Sequence, residues 1–90
     1  MADAREIEKV LKVLGNRRRL AIIRYLRSKP EASVGDIAGA IHLSFTSTSK
    51  HLNRLHGADV LLRDQRNLEV YYRLAPAQSP LVRAVLAQLT

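Results

Sequence analysis

The chain has 90 residues, which is enough for one small domain with a modest hydrophobic core. It carries 15 Lys and Arg residues against 8 Asp and Glu residues, and the resulting net charge of +7 favours a polyanionic partner. Cysteine is absent, which excludes disulfides and cysteine-ligated metal, and the sequence has neither an apolar run of bilayer length nor an apolar signal core at its start.

Apolar residues at helical spacing predict the first two helices. The first, about residues 4–14, ends at Gly15, and Asn16 is suited to cap a second helix over about residues 17–28. The second helix has a wide apolar arc, which predicts a central position with packing on more than one side. Three arginines at residues 17–19 open it against the helix dipole, and the sequence alone gives them no firm role. The apolar stripe of the first helix is formed by Ile7, Val10, Leu11 and Leu14.

A pair of helices is predicted next. Ser33 followed three residues later by Asp36 resembles a capping box at the start of one helix, and Ser44 is suited to cap another. The two helices would cover about residues 34–41 and 45–56. Helices separated by so short a turn form a helix-turn-helix motif.

After this motif the hydrophobic period changes to two, which predicts a two-stranded β-hairpin. Asn67 is able to adopt the left-handed conformation that a tight reversal needs. The register near the start of the hairpin stays open, because Leu61 breaks the alternation. The alternating residues are Val60, Leu62, Val70, Tyr72 and Leu74.

Ser79 followed by Pro80 predicts the start of a last helix, whose apolar stripe is Val82, Val85, Leu86 and Leu89. The order of elements, α-α-α-α-β-β-α, predicts a mainly α domain with a β-hairpin, which is the winged helix-turn-helix architecture. The predicted organisation is a single domain over residues 1–90, with the helix-turn-helix at about 34–57, the wing at about 60–74 and terminal helices at about 4–14 and 80–89.

The second helix of the helix-turn-helix divides into two faces. On a helical wheel Thr48, Leu52 and Leu55 point toward the preceding helices. The opposite face carries hydroxyls, an amide and two cations, which are groups that bind base edges and phosphates in a DNA major groove. No acidic residue occurs in residues 9–29 or 37–58, and this makes an ordinary solvated face the weaker alternative. The predicted DNA-binding residues of this segment are Ser44, Thr46, Ser47, Lys50, Asn53 and Arg54.

Three further predictions concern the surroundings of this helix. Phe45 has two interpretations, packing at the start of the helix or contact with a thymine methyl group, and the sequence does not choose between them. Arg63 and Arg66, on or near the tip of the hairpin, are expected to reach phosphates or the adjacent minor groove. No two of the three histidines are spaced i, i+4 on one helix, so we expect structural or DNA-facing histidines and no metal site.

Three segments resemble the ArsR family of winged-helix repressors. "LKVLGNRRRLAIIRYL" is similar to the family's second helix, "LSFTSTSKHLNRL" to its recognition segment and "VYYRLA" to the closing strand of its wing. The similarity covers about residues 8–75 in the same order and spacing. It implies a homodimer joined through the first and last helices, which represses transcription from a two-fold-symmetric operator.

The chain also departs from that family. Where many members bind metal through a Cys-Val-Cys core, the matching run is "EASVGDI", with Ser33 and Gly35 in place of the cysteines. The last helix, "SPLVRAVLAQLT", lacks the Asp and His of the family's other metal site. Phe45 and Thr48 replace the family's Gln and Val, so the operator sequence does not follow from the resemblance.

The two terminal stripes are predicted to form the homodimer interface, because a chain this small gains from pairing them across a symmetry axis. The alternative is that both terminal helices only cover their own protomer. The predicted function is therefore a sequence-specific double-stranded DNA-binding regulator, a dimeric repressor that does not sense metal through cysteine. We expect it to be cytoplasmic and nucleoid-associated, with no membrane contact, no cofactor and no enzymatic activity, and the sequence does not disclose an effector.

Two alternatives remain at this point. A non-specific architectural DNA-binding protein would share the charge but prefer no sequence. A winged-helix protein-interaction module would have less reason to exclude acids from residues 37–58, and its binding should survive high salt.

Overall fold

Five helices and three short strands form the domain in the computed structural model, which describes residues 3–90. The first two residues of the predicted domain lie outside the described residues. In chain order the elements are α1 (Ala4–Leu14), α2 (Arg17–Arg27), β1 (Ala32–Ser33), α3 (Val34–Ile41), α4 (Phe45–Gly57), β2 (Leu61–Arg66), β3 (Glu69–Leu74) and α5 (Pro80–Gln88). Each predicted helix is found to within one residue at both ends. Within residues 3–90, no helix has the length and apolar character needed to span a bilayer.

Side-chain caps explain why the helices begin where they do. Asn16 precedes α2, and its amide oxygen accepts hydrogen bonds from two backbone N–H groups of the first turn. Ser33, Ser44 and Ser79 precede α3, α4 and α5, and each hydroxyl accepts from the backbone N–H three residues ahead. These bonds satisfy N–H groups that the helix itself leaves without partners.

The predicted two-stranded hairpin is confirmed as β2 and β3, and a third strand, β1, extends it to an antiparallel sheet in the order β1-β3-β2. Ala32 pairs with Tyr72 and Ser33 with Tyr71, so β1 attaches the chain before α3 to the base of β3. The sequence analysis did not find β1, because two residues are too few to show an alternating pattern. The predicted reversal is confirmed: Asn67 has a φ of 56° in the turn between β2 and β3.

The structure also determines the open register at the start of the wing. Leu61 is buried, with 1% of its surface exposed, while Leu62 is 37% exposed, so the alternation that included Leu62 was wrong for the first strand. Leu61 pairs with Leu74, and Tyr72 is buried on the same face of the sheet. Val60 lies before the strand and is buried by the turn that follows α4.

The hydrophobic core lies between α2, α3, α4 and the sheet, with contributions from both terminal helices. The predicted central position of α2 is confirmed, since Ile22, Ile23 and Leu26 are almost completely buried. The fully buried large side chains of the other elements include Ile37, Leu52, Leu55, Val60 and Leu61.

The terminal helices differ from the predicted dimer surface at two positions. Leu14 is 4% exposed and Val82 is 3% exposed, because both pack into the core of their own chain. Each therefore presents little surface to a partner, and the more exposed residues of the two stripes are the better candidates for a dimer interface. Ile7 is 43% exposed and Leu11 is 51% exposed. The remaining predicted residues, Val10, Val85, Leu86 and Leu89, are partly buried against the core.

Candidate nucleic-acid interface

Helix α4 has one apolar face and one polar face, as its sequence predicts. Thr48, Leu52 and Leu55 have no exposed surface and pack against the rest of the domain. The hydroxyl oxygen of Thr48 has no hydrogen-bond partner within residues 3–90, which makes it a polar group left in an apolar contact. These three residues therefore hold the inner face of α4 by apolar packing, and the outer face is left for other contacts.

The outer face presents two cations and several hydroxyls to solvent. Lys50 and Arg54 lie one turn apart on the exposed side, and neither forms an ion pair in the described part of the chain. Thr46 is exposed and Ser47 is half-buried, one turn earlier on the same side. The absence of acidic residues leaves this positive charge without local compensation, as binding to a polyanion requires.

The amino end of α4 is also exposed. Phe45 has 61% of its surface exposed, so it does not pack inside the domain as one of its two interpretations required. Ser44 uses its hydroxyl oxygen to accept the capping bond from the N–H of Ser47, 3.1 Å away. Its O–H remains a donor, and the free N–H groups of the first turn favour an anion such as phosphate.

Asn53, on the exposed side of α4, connects this helix to the wing. Its amide oxygen accepts from Arg63 Nη1 at 3.1 Å and from the hydroxyl of Tyr72 at 3.2 Å. A bidentate contact with adenine needs both the oxygen and the nitrogen of the amide. The structure therefore leaves only the amide nitrogen of Asn53 for a base, unless Arg63 moves, and the sequence analysis did not anticipate this contact.

Arg66 is engaged by the chain's own carboxylates. Its guanidinium makes a bidentate ion pair with Glu31 and a further bond of 2.9 Å with Asp64, and it lies 4.6 Å from the centre of the Tyr71 ring. The hydrogen bonds that Arg66 donates to Glu31 and Asp64 raise the pKa of Arg66, and they lower the pKa of Glu31. Arg66, which was predicted to reach phosphates or the adjacent minor groove, is therefore ion-paired in the free protein, and contact with DNA would require it to exchange these partners.

A groove of about 630 Å³ separates the start of α4 from the wing. Phe45 lines it on the helix side, and Leu68 lines it on the wing side, in the turn next to Asn67. Leu68 is 99% exposed, which is unusual for a large apolar side chain, and the sequence analysis did not single it out.

Behind α4, a buried arginine joins three helices. Arg19 is 8% exposed, and its Nε and Nη2 donate to the carbonyl oxygens of Val13 and Lys12 at the end of α1. Its Nη1 lies 3.1 Å from Nδ1 of His51 in α4. Burial, followed by the charges of Arg19 and two further arginines, lowers the pKa of His51. Sequence alone gave residues 17–19 no firm role, because the partners of Arg19 are set by tertiary packing.

The other two histidines have separate surroundings. His42 closes α3 in the left-handed conformation, with a φ of 56°, and His56 lies near the end of α4. Among the described residues no three His, Asp or Glu side chains are grouped as a metal site would require.

A helix-turn-helix with an exposed cationic second helix and an adjacent β-wing defines a class of DNA-binding proteins. The sequence matches the winged helix-turn-helix DNA-binding family over residues 16–61. The chain resembles HlyU from Vibrio vulnificus, with 30% identity, a TM-score of 0.74 and coverage of 96% of this chain and 85% of that one. It also resembles the homodimeric DNA-binding domain of a possible ArsR-family regulator from Mycobacterium bovis, with 26% identity, a TM-score of 0.77 and coverages of 97% and 82%.

A further similar structure is that of the antimony-specific transcriptional repressor AntR, with 26% identity, a TM-score of 0.80 and coverage of 96% of this chain and 76% of that chain. The chain belongs to the winged helix-turn-helix DNA-binding family. The predicted resemblance is therefore confirmed, and the protein is a sequence-specific regulator that binds double-stranded DNA. The similar proteins are DNA-binding transcription regulators and not enzymes.

Proposed function

We propose that the protein is a homodimeric repressor that places the outer face of α4 in the major groove of a two-fold-symmetric operator. The observation that carries this proposal is the pair of exposed cations, Lys50 and Arg54, on a helix face without acidic residues. Arginine and lysine donate to the guanine edge, which is the commonest specific contact in a major groove.

Groups around these two cations have complementary roles. Ser44, Thr46 and Ser47 lie at the amino end of α4, where hydroxyls and free N–H groups favour a phosphate. Phe45, exposed at the same end, is suited to contact a thymine methyl group. The base contacts would supply specificity, and the phosphate contacts would set the register of the helix on the duplex.

The wing would act mainly through the DNA backbone. Arg63 and Arg66 are the cations of β2, and both already have partners in the free protein. Contact with phosphates would exchange the amide of Asn53 or the carboxylate of Glu31 for a phosphate oxygen. The net gain from the wing is then smaller than its charge suggests, because each new bond replaces an existing one.

Homodimer formation is proposed on the exposed apolar surface of α1. Ile7 and Leu11 lie one turn apart and are about half exposed, without cover from their own chain. The similar domain from Mycobacterium bovis is homodimeric, and AntR is a repressor. A dimer would repress by occupying its operator, and we propose a cytoplasmic, nucleoid-associated location for it.

Selection of sites from a random duplex library tests the DNA-binding proposal. The wild-type protein should enrich a two-fold-symmetric motif and prefer it over scrambled duplex by about 10³-fold or more at near-physiological salt. Replacing both Lys50 and Arg54 by Ala should remove most of that preference. Uniform, salt-steep binding to every duplex would instead indicate an architectural DNA-binding protein.

Sedimentation of a charged variant tests the dimer proposal. Leu11→Glu should convert the dimer to a monomer, because it places a carboxylate in an apolar contact. Lys9→Glu places the same carboxylate on an exposed position of α1 outside the apolar stripe, and it should leave the dimer intact. A monomeric wild-type protein would contradict the proposal.

A further inference from the structure

A charged side chain in the interior requires compensation. Arg19 lies in the first turn of α2, where the helix dipole disfavours a cation, and it is almost completely buried. Burial, followed by the charge of Arg54, lowers its pKa. The hydrogen bonds of Arg19 must therefore offset two costs, the unfavourable interaction of its charge with the dipole of α2 and the loss of hydration on burial.

Two of its donors are used at the end of α1. The carbonyl oxygens of Lys12 and Val13 belong to the last turn of that helix, where no intrahelical N–H is available to them. They also lie at the negative end of the helix dipole, which favours a cation. Arg19 thereby caps α1 from the side of α2.

The third arm of the guanidinium reaches α4. Nη1 of Arg19 and Nδ1 of His51 are 3.1 Å apart, and because arginine is only a donor, Nδ1 must accept. This assigns the ring proton of neutral His51 to Nε2. His51 directly follows Lys50 and lies three residues before Arg54, so a contact at His51 holds the part of α4 from which both cations project.

We propose that Arg19 is a positioning residue for operator recognition, which fixes the angle and distance between α1 and α4. The guanidinium is planar, so three bonds in one plane hold both helices in one geometry more strictly than a lysine would. This inference rests on the proposed function, in which α1 joins the two protomers and α4 enters the groove. In such a dimer, the Arg19–His51 contact sets the separation of the two recognition helices.

A change in this separation should alter the preferred operator spacing and leave contact with one half-site intact. Insertion of one base pair between half-sites rotates one against the other by about 35°, since a turn contains about 10–10.5 base pairs. The wild-type protein should therefore lose affinity when the selected operator is lengthened or shortened by one base pair. A variant without the contact should discriminate less, because its recognition helices adapt to more than one spacing.

The test titrates three duplexes, namely the selected operator, the operator with one inserted base pair and an isolated half-site. The spacing ratio is the affinity for the selected operator divided by the affinity for the operator with one inserted base pair. His51→Leu should reduce this ratio by about tenfold, while the affinity for the isolated half-site changes by less than about threefold. His51→Asn should restore the ratio, because its amide oxygen offers an acceptor close to the position of Nδ1. Arg19→Lys, which keeps the charge and loses the planar fork, should resemble His51→Leu.

A purely structural role would lower the melting temperature and weaken binding to all three duplexes equally. Suppose that the wild-type protein prefers the selected spacing and that His51→Leu keeps the same spacing ratio. This result would overturn the inference about Arg19 and leave the proposed function in place. Absence of any spacing preference in the wild-type protein would overturn the proposed dimeric mode of binding, and this inference with it. The His51 variants keep the test decisive even where an Arg19 variant fails to fold.

Discussion

The recognition helix α4 and the wing both carry cations, yet they hold these cations differently. Lys50 and Arg54 on α4 form no ion pair within residues 3–90. Arg63 on the wing donates to Asn53, and Arg66 is held by Glu31 and Asp64. Lys50 and Arg54 can therefore bind without releasing an ion pair, whereas Arg63 and Arg66 must first release their partners.

Cations with partners and cations without partners therefore contribute differently to DNA binding, although both count equally in the net charge. Groups without competing partners gain the full interaction with a base or phosphate, while paired groups gain only the difference between two sets of bonds. We therefore expect affinity and specificity to depend more on α4 than on the wing.

The largest effect should follow from removing one cation in each region. Arg54→Ala should lower the specific affinity by about 1–3 kcal/mol if the side chain makes a bidentate base contact. Arg66→Ala removes the same charge from the wing, and it should lower the affinity less, because the lost cation was already neutralised. Titration of both variants on the selected operator measures the difference, and equal losses would contradict the comparison.

A second effect concerns the inner face of α4. Thr48→Val removes a buried hydroxyl that has no partner and keeps the shape of the side chain, so the free energy of unfolding should rise by about 1 kcal/mol. Operator affinity should stay unchanged. Thr46→Val on the exposed face is the matched control, for which we expect little change in stability and weaker DNA binding. Urea unfolding and DNA titration of both variants separate the packing face from the binding face.

A third effect should come from releasing the wing. Glu31→Gln removes the bidentate partner of Arg66, so that Arg66 becomes available to a phosphate. The slope of log affinity against log salt should then steepen by up to about one unit, the contribution of one phosphate contact. Glu8→Gln in α1 is the control with the same loss of charge, and its slope should match the wild type. A slope unchanged by Glu31→Gln would show that Arg66 does not face the DNA backbone.

The smallest effects should appear on acidification, in two separate pH ranges. The pKa of His51 is lowered from its ordinary 6.5, so the unfolded chain takes up a proton that the folded chain resists. Its stabilising contribution is present above pH 6.5 and is lost as the pH falls below that value. The pKa of Glu31 is lowered from 4.5, so the wing pair loses its contribution only in more acidic solution. Urea unfolding from pH 7.5 to 4 should show the first loss in the wild type and not in His51→Asn.

Sequence predicted the local features of this fold and missed the long-range ones. The starts of α2, α3, α4 and α5 follow from capping residues next to them, and the two faces of α4 follow from the helical repeat. By contrast, Arg63 and Asn53 are 10 residues apart, Arg19 and His51 are 32 apart, and Arg66 and Glu31 are 35 apart. Pairs at such separations depend on how the elements pack, which a periodic pattern does not encode.

In the candidate site, too, the local features were predictable from the sequence and the long-range contacts were not. The exposure of Lys50 and Arg54 was predictable from the helical wheel, and so was the burial of Leu52. The occupied amide of Asn53 was not predictable, because it depends on the position of Tyr72 in β3 relative to α4. Phe45 was left open for a similar reason: its exposure depends on whether another element covers the start of the helix.

The short strand β1 covers only part of the wing. The part that pairs with β1, at Tyr71 and Tyr72, is here called the base, and residues 65–70 are called the tip; we expect the hydrogen bonds of these two parts to open at different rates. Tyr71 and Tyr72 pair with a strand on each side, whereas residues 65, 66, 69 and 70 pair on one side only and residues 67–68 form the turn. Amide hydrogens at the base should exchange with solvent only when the whole domain unfolds, while those of the tip exchange through local fraying. Arg66 reaches from the fraying tip back to Glu31, next to β1, so added salt should accelerate exchange at the tip and leave the base unchanged.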